Sequence, residues 1–285
     1  RPPGRLMDLT EPRAAEAALR LAGEQLARRD AVLRAIPLAG RALLGPGAGE
    51  EGIREAHGLL GGAMQADRAY VFELHRAPDG SRLVSQRFEW AAPGVEPQID
   101  NPELQAMAVD SSGFAPWLRP LLEGGDARVV RTDEVPEPAR GHLAAQGIHS
   151  MALVPVRVQG EVWGILGFDD CGGERDWTAP GLVVLHTAAG MVGASVARRD
   201  AEEHFQAVLR ASPAAIYALR VPPEGAVELE WSSPNVGRVL GDDDEVSPEP
   251  EWWFSVVHPD DLPGVLSGGW PDEGRPSVVK EYRVR

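Results

Sequence analysis

The chain has 285 residues, 43% of them hydrophobic, which is enough for two domains that each bury a core. Its 43 acidic residues against 28 basic ones leave a net charge of -15, so most of its surface repels nucleic-acid phosphate and anionic lipid, and neither is expected as a partner. One cysteine, Cys171, excludes an intrachain disulfide framework and a cysteine-rich zinc site and fits a reducing, cytoplasmic setting. No run of about 18 apolar residues stands out as a membrane span, and Arg1 to Arg5 lead into no signal-peptide core, so no membrane contact is expected. With no initiator Met and an ending on SVVKEYRVR, both ends read as cut from a longer chain.

In chain order, residues 11 to 36 come first, rich in Ala, Leu, Glu and Arg, and they predict a helix. Leu19, Ala22, Leu26, Leu33 and Ile36 fall on a three-four spacing with Arg29 as the polar gap, a short coiled-coil signature of about three heptads. The same stripe also fits an amphipathic helix lying on its own domain. Helical sequence follows in EEGIREAHGLLGGAMQ. AYVFEL and LVSQRFEW then read as a hairpin around Pro78, Asp79 and Gly80. From Ala91 to Glu123, Pro and Gly interrupt the order, with short helices expected in PELQAMA and FAPWLRPLLEG.

After RVVR and a short helix in ARGHLAAQG, the runs SMALVPVRV and EVWGILGFDD predict a tight antiparallel hairpin joined at Gln159 and Gly160. A last helix is expected to start near Thr178 and Pro180 and to continue through Leu185, Ala189, Val192 and Val196 into AEEHFQAVLRAS. Gly190 and Gly193 each weaken it by about 1 kcal/mol relative to Ala. A helix of that length between two domains is a stiff rod.

This order of elements resembles a GAF domain of the bacterial sensor type, above all in HLAAQGIHSMALVPVRVQGEVWGILGFDDCGGERDW. Residues 203 to 285 resemble the start of a PAS domain, through HFQAVLRASPAAIYAL, LEWSSPNVGRVLG, the HPDD element at His258 to Asp261 and the strand SVVKEYRVR. The resemblance implies an α+β fold: a GAF-like antiparallel sheet flanked by helices, then a PAS-like α/β domain lacking its last strands, linked by long helices. The expected boundaries are a signalling helix at 1–37, the GAF domain at 38–198, and a linker helix leading into partial PAS sequence at 199–285.

The resemblance also directs the search for a ligand site. His142 and His149 flank the short helix and the strand entry, near where ligand-holding GAF domains line their pocket, and Trp163 and Phe168 have the shape to stack on a flat ligand. These four are the candidate pocket residues, although lone histidines are more often structural and core packing also explains the aromatics. No metal site is expected. The GDDDE run at 241–245 lacks the spaced ligands of a calcium loop, and His258, Asp260 and Asp261 fit a helix start, with Asp260 as cap, better than a metal or acid/base cluster. No cofactor is predicted. In the light-sensing branch of the family a Cys-His pair precedes the equivalent of Leu143, and here those positions hold Pro138 and Ala139, which disfavours a covalent bilin. Cys171, beyond the WGILGFDD strand, is expected to pack against the last helix. The signature of cyclic-nucleotide GAF domains is also missing, and haem or another small ligand stays open.

No catalytic residue is assigned, because no phosphate-cradling loop, phosphoacceptor histidine sequence or cyclase turn is found and Cys171 has no resolving partner. Two readings follow. The first is a sensory and signal-transmitting region that binds a small ligand or partner and relays the change through its helices to an absent output domain, a histidine kinase or a cyclic-di-GMP enzyme. The second is a constitutive dimerisation scaffold whose pocket is filled by its own side chains. Both imply a homodimer through the N-terminal and linker helices.

Overall fold

Helix α1 spans Thr10–Leu44 and carries Pro37 inside it, so it runs past the expected end at residue 36. The computed structural model of the chain describes residues 10–45, 49–173, 175, 177–220, 228–240, 255, 257–267 and 283. The acidic run at 241–245 and all of SVVKEYRVR except Arg283 lie outside them. Along α1 the apolar stripe divides. Leu19, Leu26 and Leu33 are exposed, whereas Val32, Ala35, Ile36, Ala39 and Leu43 pack into the core of the following domain. The reading as an amphipathic helix lying on its own domain thus holds for the stretch from Val32 to Leu43.

Helix α2 (Glu50–Met64) ends on Gln65, whose φ of 55° reverses the chain into β1 (Arg68–Arg76) and β2 (Arg82–Ala91). A 3-10 turn at Pro102–Leu104, a short β3 (Met107–Ala108), α3 (Ala115–Leu122), β4 (Arg128–Arg131) and α4 (Ala139–Ala145) follow. β5 (Ser150–Val158) and β6 (Glu161–Asp170) form the expected hairpin. Its two connecting residues, Gln159 and Gly160, both have positive φ, 52° and 92°, the geometry that matches the natural twist of paired strands. The strands order as β3-β2-β1-β6-β5-β4, and every pairing is antiparallel.

Because side chains alternate along a strand, each strand serves both faces of this sheet. Ala152, Val154 and Val156 of β5, Leu166 and Phe168 of β6, and Ala69 and Val71 of β1 meet α1, α2 and helix α5 (Ala179–Ala211) on one face. Met151, Leu153, Ile165 and Tyr70 face a second cluster built with α3 and α4. Cys171 belongs to that second cluster rather than packing against the last helix, and burial pushes its thiol up to about 11.

Helix α5 docks through Leu185, Ala188, Ala189, Val192 and Val196. Gly193, costly for helix propensity, is explained by this contact, since a Cβ there would overlap the carbonyl oxygen of Arg157. One 18-residue window within the helical stretch Gly181–Ala211 has a mean hydropathy of 1.3, so by length and composition alone this helix could cross a membrane. Its docking residues show what that apolar character does in this fold.

His57, on the buried face of α2, donates from Nδ1 to the Ile53 carbonyl at 2.6 Å. Its Nε2 is buried without a partner among the described residues. Desolvation lowers its pKa from 6.5 to about 4. A base held neutral by the fold contributes stability that is whole above pH 6.5 and is lost as pH falls toward about 4. We therefore expect His57→Leu to flatten the acid side of the stability curve in that window, as read by urea melts at half-unit pH steps. An unchanged slope would contradict the assignment.

Contacts divide the chain between Arg199 and Asp200, with α5 running across the division. In the second unit β7 (Tyr217–Arg220) pairs antiparallel with β8 (Glu228–Ser232), followed by α6 (Val236–Leu240) and α7 (Leu262–Ser267). Asn235 is buried and ties the entry turn to this hairpin, its Nδ2 donating to the carbonyls of Ser212 and Ala214 at 2.9 and 3.0 Å. In the HPDD element Asp261 accepts two hydrogen bonds from the Arg283 side chain and one from its backbone, which hold its carboxyl far below the usual range. Asp260 Oδ2 lies 3.7 Å from Arg283 Nη2. Both acidic side chains are thus drawn into ion pairs.

Candidate functional site

The face of the sheet opposite α1, α2 and α5 floors an apolar cavity that is partly open to solvent. β1, β2, β5 and β6 supply the floor. The 98–118 segment contributes Leu104, Met107, Phe114, Trp117 and Leu118 to the walls, and α4 and the turn after it contribute Leu143, Gln146 and Ile148. An apolar concavity with a few inward polar groups is the usual form of a small-molecule site.

Its polar end is a buried network. Tyr70 donates to Asp169 Oδ1 at 2.7 Å, and Arg68 Nη1 reaches Asp169 Oδ2 at 3.4 Å. Arg68 Nε donates to the Glu96 carbonyl at 3.1 Å and Nη2 to the Gln146 carbonyl at 2.7 Å. One guanidinium thus ties the strand floor to both walls. Burial raises the Asp169 carboxyl to about 7 against the pull of Tyr70 and Arg68. Burial and the Asp169 charge raise the Tyr70 hydroxyl well above 10, so it stays a donor. Gly167 makes room for this arrangement, since a Cβ there would overlap the Tyr70 ring.

On β2, Gln86 and Glu89 also line the cavity. Glu89 Oε2 accepts from the backbone N–H groups of Gln98 and Ile99 at 2.7 and 2.8 Å, anchoring the wall. Its Oε1 and the Oε1 of Gln86 are buried and have no partner among the described residues.

None of the four residues singled out from the sequence lines this cavity. His142 is exposed on α4, 3.2 Å from Glu103 and in tilted contact with Phe114. His149 is exposed at the entry to β5. Trp163 is half-buried against the helical face, and Phe168 is fully buried there. Their chain neighbours Leu143, Ile148 and Asp169 line the cavity instead, because one step along a strand or helix turns a side chain to another face. Arg68, Tyr70, Gln86 and Glu89 were missed. The one available signal was the placing of polar residues inside the β-prone runs AYVFEL and LVSQRFEW, which takes in Tyr70, Gln86 and Glu89 but not Arg68, since burial on one face forces polar groups to find partners. Among the described residues no group of three or more His, Cys, Asp or Glu side chains is placed to hold a metal.

A six-stranded antiparallel sheet with α1, α2 and α5 packed on one face and an apolar cavity on the other defines the class: an α+β domain with a curled antiparallel sheet. Residues 50–196, just over half of the chain, match the GAF domain family, and the chain belongs to it. A curated relative, the methanogenesis regulatory histidine kinase FilI of Methanothrix harundinacea (strain 6Ac), is 41% identical over 179 residues. That match covers 62% of this chain, and the chain spans 20% of the length of the relative. Similar solved structures include the phycoerythrobilin-bound GAF domain of a cyanobacterial phytochrome, 20% identical with a TM-score of 0.46 over 62% of this chain and 98% of that one. The chromophore-binding domain of an unusual bacteriophytochrome from R. palustris is 14% identical with a TM-score of 0.48, covering 60% of this chain and 62% of that one.

Proposed function

We propose that the chain is the sensory and signal-transmitting region of a multidomain cytoplasmic signalling protein, binding a small molecule in the sheet-floored cavity and passing the change to an output domain through α1 and α5. The cavity carries this reading: it joins apolar walls to buried acceptor atoms with no protein partner among the described residues, a combination that a pocket filled by its own side chains would not leave. The regulatory histidine kinase among the relatives supports a kinase as that output. In this reading the chain itself carries no catalysis, and Pro138 and Ala139 disfavour a covalent bilin. We further assign the segment from Asp200 onward to the opening part of a PAS domain, supported by the β7–β8 hairpin, α6 and the His258–Asp261 turn before α7.

The test is a thermal-shift screen of small molecules, followed by hydrogen exchange on the whole chain with each hit. A sensory region is expected to show altered exchange both around the cavity and in Ala179–Ala211, and Leu153→Trp, which narrows the cavity, is expected to abolish both. Protection confined to the cavity, or no hit at all, would favour the constitutive scaffold.

A further inference from the structure

The reading of the cavity as a ligand site leaves open what enters it, and the polarity of its lining narrows the answer. Gln86 and Glu89 stand three residues apart on β2, a spacing that normally places side chains on opposite faces of a sheet. The β1–β2 register shows why both reach the cavity. Val71 pairs with Phe88 and Phe72 with Gln86, so Arg87 is an extra residue on β2. Before this bulge the cavity face takes Val84 and Gln86; after it Phe88 and Trp90 turn to the helical face and Glu89 takes the cavity side. Bulges re-aim side chains in this way, often next to functional sites.

The result is a pair of acceptor oxygens, Gln86 Oε1 and Glu89 Oε1, buried and without a partner among the described residues, on a side chain only 3% exposed in the case of Gln86. The one cation in the lining, Arg68, has each of its three nitrogens engaged, on Glu96, Asp169 and Gln146. Tyr70 directs its hydroxyl to Asp169 and Met151. The lining therefore leaves a carboxylate oxygen of Glu89 without a partner among the described residues and holds its one cation in use, which disfavours an anion and favours a ligand that donates. Phe72, Phe114 and Trp117 give the walls aromatic faces, which attract both a flat ring and a cation.

We propose that the cavity selects a small alkylamine carrying an aromatic ring, whose N–H groups donate to Glu89 Oε1 and Gln86 Oε1 while its ring packs against Phe72, Phe114 and Trp117. The proposal rests on the cavity being a ligand site and adds the chemical class.

Three probes with one ring system and different charge test it by calorimetry on the whole chain: tryptamine, 3-methylindole and indole-3-propionate. Tryptamine is expected to bind at least about tenfold more tightly than indole-3-propionate, the effect of a charge-assisted hydrogen bond. Glu89→Gln keeps an oxygen for the Gln98 and Ile99 N–H groups but turns the cavity-facing atom into a donor, so it is expected to weaken tryptamine about tenfold or more and to favour indole-3-propionate. Gln86→Met, which removes an acceptor at similar size, is expected to weaken tryptamine alone and serves if Glu89→Gln does not fold. Equal or tighter binding of 3-methylindole or indole-3-propionate to the unaltered chain, abolished by Leu153→Trp, would overturn the amine assignment and leave the ligand cavity standing. Binding of none of the three would also overturn it, and the unbiased screen then decides separately whether the cavity takes any ligand.

Discussion

Light scattering at micromolar concentration is expected to give twice the chain mass, and Leu26→Glu to shift the protein toward the monomer. Leu19, Leu26 and Leu33 stand seven residues apart on α1 and are 80%, 59% and 56% exposed, a line of large apolar side chains that a single chain leaves in water. Two such helices side by side cover both lines at once, in the seam that a seven-residue repeat forms between parallel helices. Burying one leucine is worth about 1.5–3 kcal/mol, so removing the Leu26 pair and setting two like charges in the seam is expected to weaken association by more than about a hundredfold. The packing of Ala35, Ala39 and Leu43 against the domain is untouched by this change, so the fold should persist, as circular dichroism would show. A monomeric mass for the unaltered chain would remove the seam and, with it, the route proposed for the signal along α1.

The largest stability effect is expected at the polar end of the cavity. Arg68→Met would remove the three-way tie among the strand floor, the Glu96 loop and the turn at Gln146. It would also leave the Asp169 carboxyl, 1% exposed, without its cation. Breaking a buried pair from one side costs about 3–5 kcal/mol, which for a domain of this size lowers the melting temperature on the order of 10 °C.

A pH signature accompanies it. The Asp169 carboxyl is raised by burial from 3.8 to about 7, so the folded state holds this proton more tightly than the unfolded one. The stability it contributes is whole below about pH 3.8 and is lost as pH rises through about 7. Asp169→Asn, a mimic of the protonated acid, should lack this loss. The stability of the unaltered chain minus that of Asp169→Asn is expected to fall by a few kcal/mol between pH 4 and 7 and then level off. A flat difference across that range, measured by denaturant melts, would show that Arg68 keeps Asp169 ionised throughout. Arg68→Met would then be expected to introduce the slope.

Local chemistry made the scaffold legible. The short break at Gln159 and Gly160 between two β-prone runs announces a tight hairpin because glycine adopts positive φ without strain. The three-four apolar spacing marks α1 and α5 because it repeats with the turn of a helix. Where signals were local and redundant, the elements came out near their expected places, and the motif around SMALVPVRV and EVWGILGFDD was enough to point to the family that residues 50–196 match.

The site was less legible, for reasons that lie in tertiary structure. Phe168 and Asp169 are adjacent in an apolar strand, and nothing in their order says which face of the sheet is packed by helices and which is left open for a cavity. That depends on α1, α2 and α5 all docking on one side. Gln86 and Glu89 share a face only because Arg87 bulges out of register with β1, a property of strand pairing that β2 alone does not encode. The partners of Arg68 come from residues 96, 146 and 169, and only chain folding brings them together. The sequence by its own patterns set the helices, the hairpins and their turns. Pairing register and the choice of packed face, both long-range, decided which side chains became a cavity.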